Sequence, residues 1–160
     1  MNNTFLRNEL SSFIVEAKQS TYASTDDKAR VPPILPGSHQ LEFRKGSLFY
    51  RDIYYGGDFF VGLETVYQHN QPVWAMSYAG GVNDRVDASR RFELYDFLKS
   101  ALRKVKHTAP YRGPEEFLTG DYQYTNRTLG QLSRFSGVEM ISFRKQSIYQ
   151  LHYSGGILKG

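Results

Sequence analysis

The chain contains one stretch of sequence twice. Phe60-Val61-Gly62-Leu63-Glu64 is matched 75 positions later by Phe135-Ser136-Gly137-Val138-Glu139. The same offset pairs Gln71 with Gln146, Tyr78 with Tyr153, and Gly80-Gly81 with Gly155-Gly156. Apolar character also agrees between the fixed points: Val66 with Ile141, Val73 with Ile148, Trp74 with Tyr149, Met76 with Leu151. A repeat constrains the architecture before any element is assigned, because each copy must form the same unit and stack on its mate. Upstream the match continues at an offset of 74, with Gly46, Tyr50, Asp52 and Gly56 against Gly120, Tyr124, Asn126 and Gly130. A weaker match joins two helical stripes, Leu10, Phe13, Ile14 and Ala17 against Leu94, Phe97, Leu98 and Ala101. The repeat predicts a helix-plus-three-strand unit, duplicated with pseudo-two-fold symmetry.

Periodicity places the elements. Residues 4 to 20 read as an amphipathic helix, with Leu6, Leu10, Phe13, Ile14 and Ala17 on one face. Residues 23 to 39 form a polar connection in which Val31-Pro32-Pro33-Ile34-Leu35-Pro36-Gly37 is expected to be irregular, since three prolines remove backbone donors. Strands follow at about 40 to 45, 47 to 55, 59 to 68 and 72 to 79, with Lys45-Gly46 and His69-Asn70-Gln71 suited to hairpin turns. A second helix spans about Ala88 to Lys106, capped by Asp87 or Ser89. Strands at about 121 to 126, 132 to 143 and 147 to 154 complete the second copy. Many adjacent strands on short turns, with two helices, predict an α+β fold built on antiparallel sheet. The expected organisation is a single domain over 1–160, with copy one at about 4–81 and copy two at about 88–156.

Strand alternation gives the candidate site. Phe60, Gly62, Glu64 and Val66 share one strand face, as do Phe135, Gly137, Glu139, Ile141 and Phe143. A Glu therefore lies among apolar neighbours twice. A buried carboxylate is costly unless it is paired, hydrogen-bonded or protonated. Each Glu is expected to pair with an internal Arg such as Arg44 or Arg51, to meet a tyrosine or strand end, or to line a cavity. The glycine two residues before it leaves space or lets backbone approach closely. Tyr50 shares a face with Asp52, and Tyr124 with Asn126. Trp74 and Tyr78, like Tyr149 and Tyr153, also lie on common faces. Glu64, Glu139, Tyr50, Tyr124, Trp74, Tyr78, Tyr149 and Tyr153 are the candidate ligand-binding residues. Aromatic rings around a carboxylate suit a cationic or aromatic small molecule.

Composition narrows the chemistry. The absence of Cys excludes disulfides, thiolate metal sites and cysteine nucleophiles. His39, His69, His107 and His152 show no metal-ligand spacing, and the Gly-Gly pairs lack the residues of a phosphate loop. No metal and no cofactor is expected. No apolar run approaches a membrane span, and Met1 to Arg7 do not read as a signal peptide, so a cytoplasmic protein with no membrane partner is expected. The net charge of +4 concentrates in Arg85, Arg90, Arg91, Lys99, Arg103, Lys104, Lys106 and Arg112. No recognition motif accompanies these cations, and cations near a helix C-terminus favour its dipole, so nucleic acid is not the favoured partner.

The stretches Phe13-Ile14-Val15-Glu16-Ala17-Lys18, Leu41-Glu42-Phe43-Arg44-Lys45-Gly46, Pro72-Val73-Trp74-Ala75-Met76-Ser77-Tyr78 and Tyr111-Arg112-Gly113-Pro114 resemble a bacterial domain family of unknown function. The resemblance covers nearly the whole chain. Members of that family occur alone or behind a helix-turn-helix DNA-binding domain, which implies an appended sensor module. It carries over no catalytic residues. A more distant analogy connects the chain to GyrI-like effector-binding domains, duplicated α+β units whose pocket uses a Glu among aromatics. The expectation is a small-molecule binding or sensor domain, with its cleft near the pseudo-two-fold axis. Its alternatives are a protein-interaction or homodimerisation module and a hydrolase-like enzyme using the paired carboxylates. Binding is favoured over catalysis.

Overall fold

A computed structural model describes residues 3–24, 28–83 and 86–159, with side chains in the first helix described from Arg7 onward. Leu6 and Arg85, both named above, lie outside the residues so described. The elements are α1 (Asn3–Ser20), β1 (Arg30–Val31), β2 (His39–Lys45), β3 (Leu48–Gly56), β4 (Phe59–Gln68), β5 (Gln71–Val82), α2 (Ala88–Leu102), β6 (Glu116–Thr119), β7 (Tyr122–Gln131), β8 (Arg134–Phe143) and β9 (Gln146–Ile157). All the strands join one antiparallel sheet in the order β1-β2-β3-β4-β5-β9-β8-β7-β6. The chain is α+β, with two helices on a nine-stranded sheet.

The order explains why the repeated segments meet. β1 to β5 and β6 to β9 each run from an outer edge to the centre, and the last strand of one run pairs with the last strand of the other. In that central pairing Tyr78 stands opposite Tyr153, its repeat counterpart. Local geometry agrees in detail. The β4–β5 and β8–β9 turns place His69-Asn70 and Arg144-Lys145 at positive φ, as two-residue type I′ hairpins require. A register shift falls at Val66/Tyr67 and at Ile141/Ser142. Gly56 and Gly130 have φ of 94° and 93°.

Two elements were not anticipated. β6 lies outside β7 as β2 lies outside β3, so α2 is followed by four strands, and five strands, β1 included, lie between α1 and α2. β1 pairs Arg30 with Leu41 and Val31 with Gln40, although Val31 was expected to be irregular. The residue preceding a proline is biased to extended backbone, which is what an edge strand needs. The α2 helix is capped at Asp87, whose carboxylate accepts the Arg90 N–H at 3.0 Å. It stops at Leu102, short of Lys106.

The core lies between the helices and one sheet face. Leu10, Phe13, Ile14 and Ala17 from α1 and Leu94, Phe97, Leu98 and Ala101 from α2 are buried there, with Trp74, Met76, Tyr149 and Leu151 from the two central strands. The opposite face carries Tyr55, Val61, Leu63 and Met140 and is exposed. Among the described residues no helix is long and apolar enough to cross a membrane.

Candidate functional site

Both repeat glutamates point inward and are fully buried. Glu64 on β4 receives Lys18 Nζ at 2.5 Å, and the same ammonium donates to the Tyr111 carbonyl at 2.5 Å. Glu139 on β8 receives Arg112 Nη2 at 2.6 Å, Tyr124 Oη at 2.7 Å and Tyr149 Oη at 2.8 Å. The expected partners Arg44 and Arg51 are elsewhere. Arg51 bonds Glu42, its cross-strand neighbour, and Arg44 lies over the Phe49 ring. Alternation explains this. Arg51 is one residue from Asp52, so it projects from the sheet face opposite to Glu64. The true cations come from α1 and from the connection before β6.

The two halves solve the same burial problem differently. Tyr50 and Trp74 occupy the positions of Tyr124 and Tyr149, yet Tyr50 Oη, Trp74 Nε1 and Glu64 Oε1 have no partner among the described groups. Lys18 instead sits 5.8 Å from the Trp74 ring and 5.5 Å from Tyr22. Burial pulls the Lys18 pKa down, and Glu64 opposes that pull. Burial also works against the Arg112 charge, but Glu139 and the surrounding tyrosines hold its pKa above the ordinary value.

Next to these pairs lies a second buried acid. Asp52 on β3 accepts Tyr78 Oη at 2.7 Å. In the other half Asn126 Oδ1 accepts Tyr153 Oη at 2.8 Å. The repeat thus preserves the bond while exchanging a carboxyl for an amide. Burial and the neighbouring Glu64 charge push the Asp52 pKa up to about 7, against the Tyr78 hydrogen bond and the Lys18 and Arg112 charges. The repeat glycines shape this arrangement. A Cβ on Gly62 would lie 2.3 Å from the Tyr78 ring, and one on Gly137 would lie 2.2 Å from the Tyr153 ring. Each glycine makes room for the tyrosine that reaches Asp52 or Asn126.

Asp52, Tyr78 and Arg112 border a cavity of about 360 Å³ between the first half of the sheet, the end of α1 and the α2 face. Its walls include Tyr22, Tyr54, Phe60, Tyr95, Leu98 and Leu102. The Arg112 guanidinium stands 5.3 Å from the Tyr22 ring and 5.7 Å from the Tyr78 ring, and its Nε has no partner among the described groups. The cavity therefore presents a buried acid and a buried donor within aromatic walls. That set can hydrogen-bond a polar edge of a guest while covering its flat body.

Of the eight residues singled out from the sequence, Tyr78 borders this cavity. Glu64, Glu139, Tyr50, Tyr124, Trp74, Tyr149 and Tyr153 do not border it. They form the polar and aromatic core beneath. Sequence reasoning missed Lys18 and Arg112 as partners. Lys18 did carry a signal: it continues the apolar stripe Leu10, Phe13, Ile14, Ala17, where the second helix places Leu102. Arg112 had none beyond its position in a proline-flanked connection. Among the described residues no cluster of His, Cys, Asp or Glu could hold a metal ion.

A family model described as Domain of unknown function (DUF5680) matches residues 52–158, more than half of the 160-residue chain, and the chain belongs to that family. The match takes in Asp52, Glu64, Tyr78, Arg112 and Glu139 and leaves out Lys18 and Tyr22. No curated protein and no solved structure matches the chain.

Proposed function

We propose that this member of the family binds a small molecule, with a flat apolar body and one polar edge, in the cavity at Asp52, Tyr78 and Arg112. One observation carries the reading. A carboxyl and a guanidinium, 2% and 4% exposed, both border a cavity of about 360 Å³ walled by aromatic rings. Ionisable groups that face a cleft from buried positions, with a pKa moved by burial and a specific neighbour, mark binding sites more often than chance. Asp52 meets a donor or a cationic group of the guest. The Arg112 Nε–H meets an acceptor on the same edge. The aromatic walls favour an aromatic or cationic body.

The glutamates serve this site indirectly. Glu139 fixes Arg112, and Glu64 with Lys18 sets the field at Asp52. Resemblance to modules found behind helix-turn-helix regulators suits a sensor role for such a site. A thermal-shift screen of planar amides, heterocycles and cationic aromatics tests the proposal. Hits should stabilise the wild type and lose that effect in Asp52→Asn or Phe60→Ala. Hits that stabilise all three proteins equally would bind elsewhere and sink the reading.

A further inference from the structure

The cavity has a counterpart in the second half. Asp52, Tyr54 and Gly56 border the cavity, and their repeat counterparts Asn126, Thr128 and Gly130 border a groove beside α1. On the helices, Tyr95 and Ser11 follow the matched Leu94 and Leu10 and border the same two spaces. One wall of the groove is the connection before β6, and there the chain covers the counterpart groups with its own residues. The Tyr111 ring stacks on Phe135, with 4.0 Å between centroids. Arg112 pairs with Glu139. The Gly113 carbonyl accepts Asn126 Nδ2 at 3.0 Å.

The first half presents the same groups to the cavity. Phe60 keeps ring contacts to Tyr78 and Tyr149, as Phe135 does to their counterparts Tyr153 and Trp74. Among the described residues no ring stacks on Phe60 as Tyr111 stacks on Phe135, and Phe60 borders the cavity. Asp52 holds Tyr78 on Oδ1, as Asn126 holds Tyr153 on its own Oδ1. Asp52 Oδ2 then falls where Asn126 carries the amide nitrogen that binds Gly113. An amide nitrogen donates and a carboxylate oxygen accepts. The polarity is therefore reversed at this point, from a donor that meets a carbonyl to an acceptor that meets an N–H.

Charge points the same way. Glu64 has Lys18 and Glu139 has Arg112, while among the described residues no ion pair reaches Asp52. An ionised carboxylate so buried is costly until a positive group joins it. The other bases that border the cavity, Arg30, His39 and Lys99, are exposed, where water and salt screen them.

Resting on the cavity reading above, we propose that the guest is an aromatic cation that repeats the contacts of Tyr111 and Gly113 with one polarity reversed. Its ring stacks on Phe60, and its positively charged N–H donates to Asp52 at the place where the Gly113 carbonyl meets Asn126. The remaining contact of the second half, a cation on the repeat glutamate, is already made for Glu64 by Lys18. A guest with a carbonyl at that place sets its oxygen against the Asp52 carboxylate and is rejected.

Naphthalene-2-carboxamidine and naphthalene-2-carboxamide test this, because they share a ring and a shape and differ in the charged N–H against the carbonyl. Each is titrated by calorimetry at about pH 8 into the wild type, Asp52→Asn and Phe60→Ala. The wild type should bind the amidine at least tenfold more tightly than the amide. Asp52→Asn, which restores the amide found at Asn126, should reverse that order, and Phe60→Ala should weaken the amidine at least tenfold. A wild type that prefers the amide, with binding still lost in Phe60→Ala, would overturn this inference and leave the cavity reading standing. An amidine that binds all three proteins equally would overturn both. No binding of the amidine to the wild type would overturn the inference alone, since the thermal-shift screen covers other classes of guest.

Discussion

Asp52→Asn is the most revealing single change, because the protein already contains the answer in its other half. Asn126 accepts the Tyr153 hydroxyl as Asp52 accepts Tyr78, so the amide keeps the bond and removes the titration. The Asp52 pKa moves from the ordinary 3.8 to about 7 on folding. Between those values the folded state retains a proton that the unfolded state has released. Stability therefore falls as pH rises through the window, and levels off above pH 7. One retained proton costs on the order of 1 kcal/mol for each pH unit crossed, so the wild type should lose a few kcal/mol relative to Asp52→Asn between about pH 5 and pH 7.5. Water admitted through the cavity screens the charge, so this is an upper value. Urea unfolding of both proteins at the two pH values measures the difference of differences, in which the titrations of groups remote from Asp52 cancel and what remains belongs to Asp52 with its coupled neighbours. Curves that stay parallel, with a gap constant to about 0.5 kcal/mol, would refute the buried-acid reasoning.

Glu139→Gln leaves the Arg112 charge buried without its carboxylate, and should cost about 3–5 kcal/mol in urea unfolding. Phe13→Ala empties a buried site against Phe43, and should cost about 3–5 kcal/mol; an unchanged melting temperature would mean that α1 packs loosely on the sheet. Gly62→Ala drives a methyl into the Tyr78 ring, and should cost about 1–3 kcal/mol while lowering the Asp52 pKa seen by carboxyl NMR, as water replaces the displaced ring.

The repeat made much of the fold legible. An ungapped match forces equal hairpins, and the alternation of Phe60, Gly62 and Glu64 places both glutamates inward, where they are found. The same alternation could not say which cations meet them, because Lys18 and Arg112 come from elements far away in the chain. The role of Gly62 was also hidden. Its open space is filled by Tyr78, a cross-strand neighbour known only once the β4–β5 register is fixed. β6 was missed because four residues beside a proline and a glycine carry little strand signal. The cavity depends on how the end of α1 and the α2 face sit over the sheet, which no local pattern encodes. Asp52 stood in plain sight beside Tyr50, but its difference from Asn126 acquires meaning only when both are seen to hold equivalent tyrosines.

A crystal structure with the strongest thermal-shift hit tests the central claim most directly. The guest should lie between the Tyr22 and Phe60 walls, with its polar edge within hydrogen-bond distance of the Asp52 carboxyl and Arg112 Nε. A guest seated on the outer sheet face, or in the cavity without contact to either residue, would contradict the account.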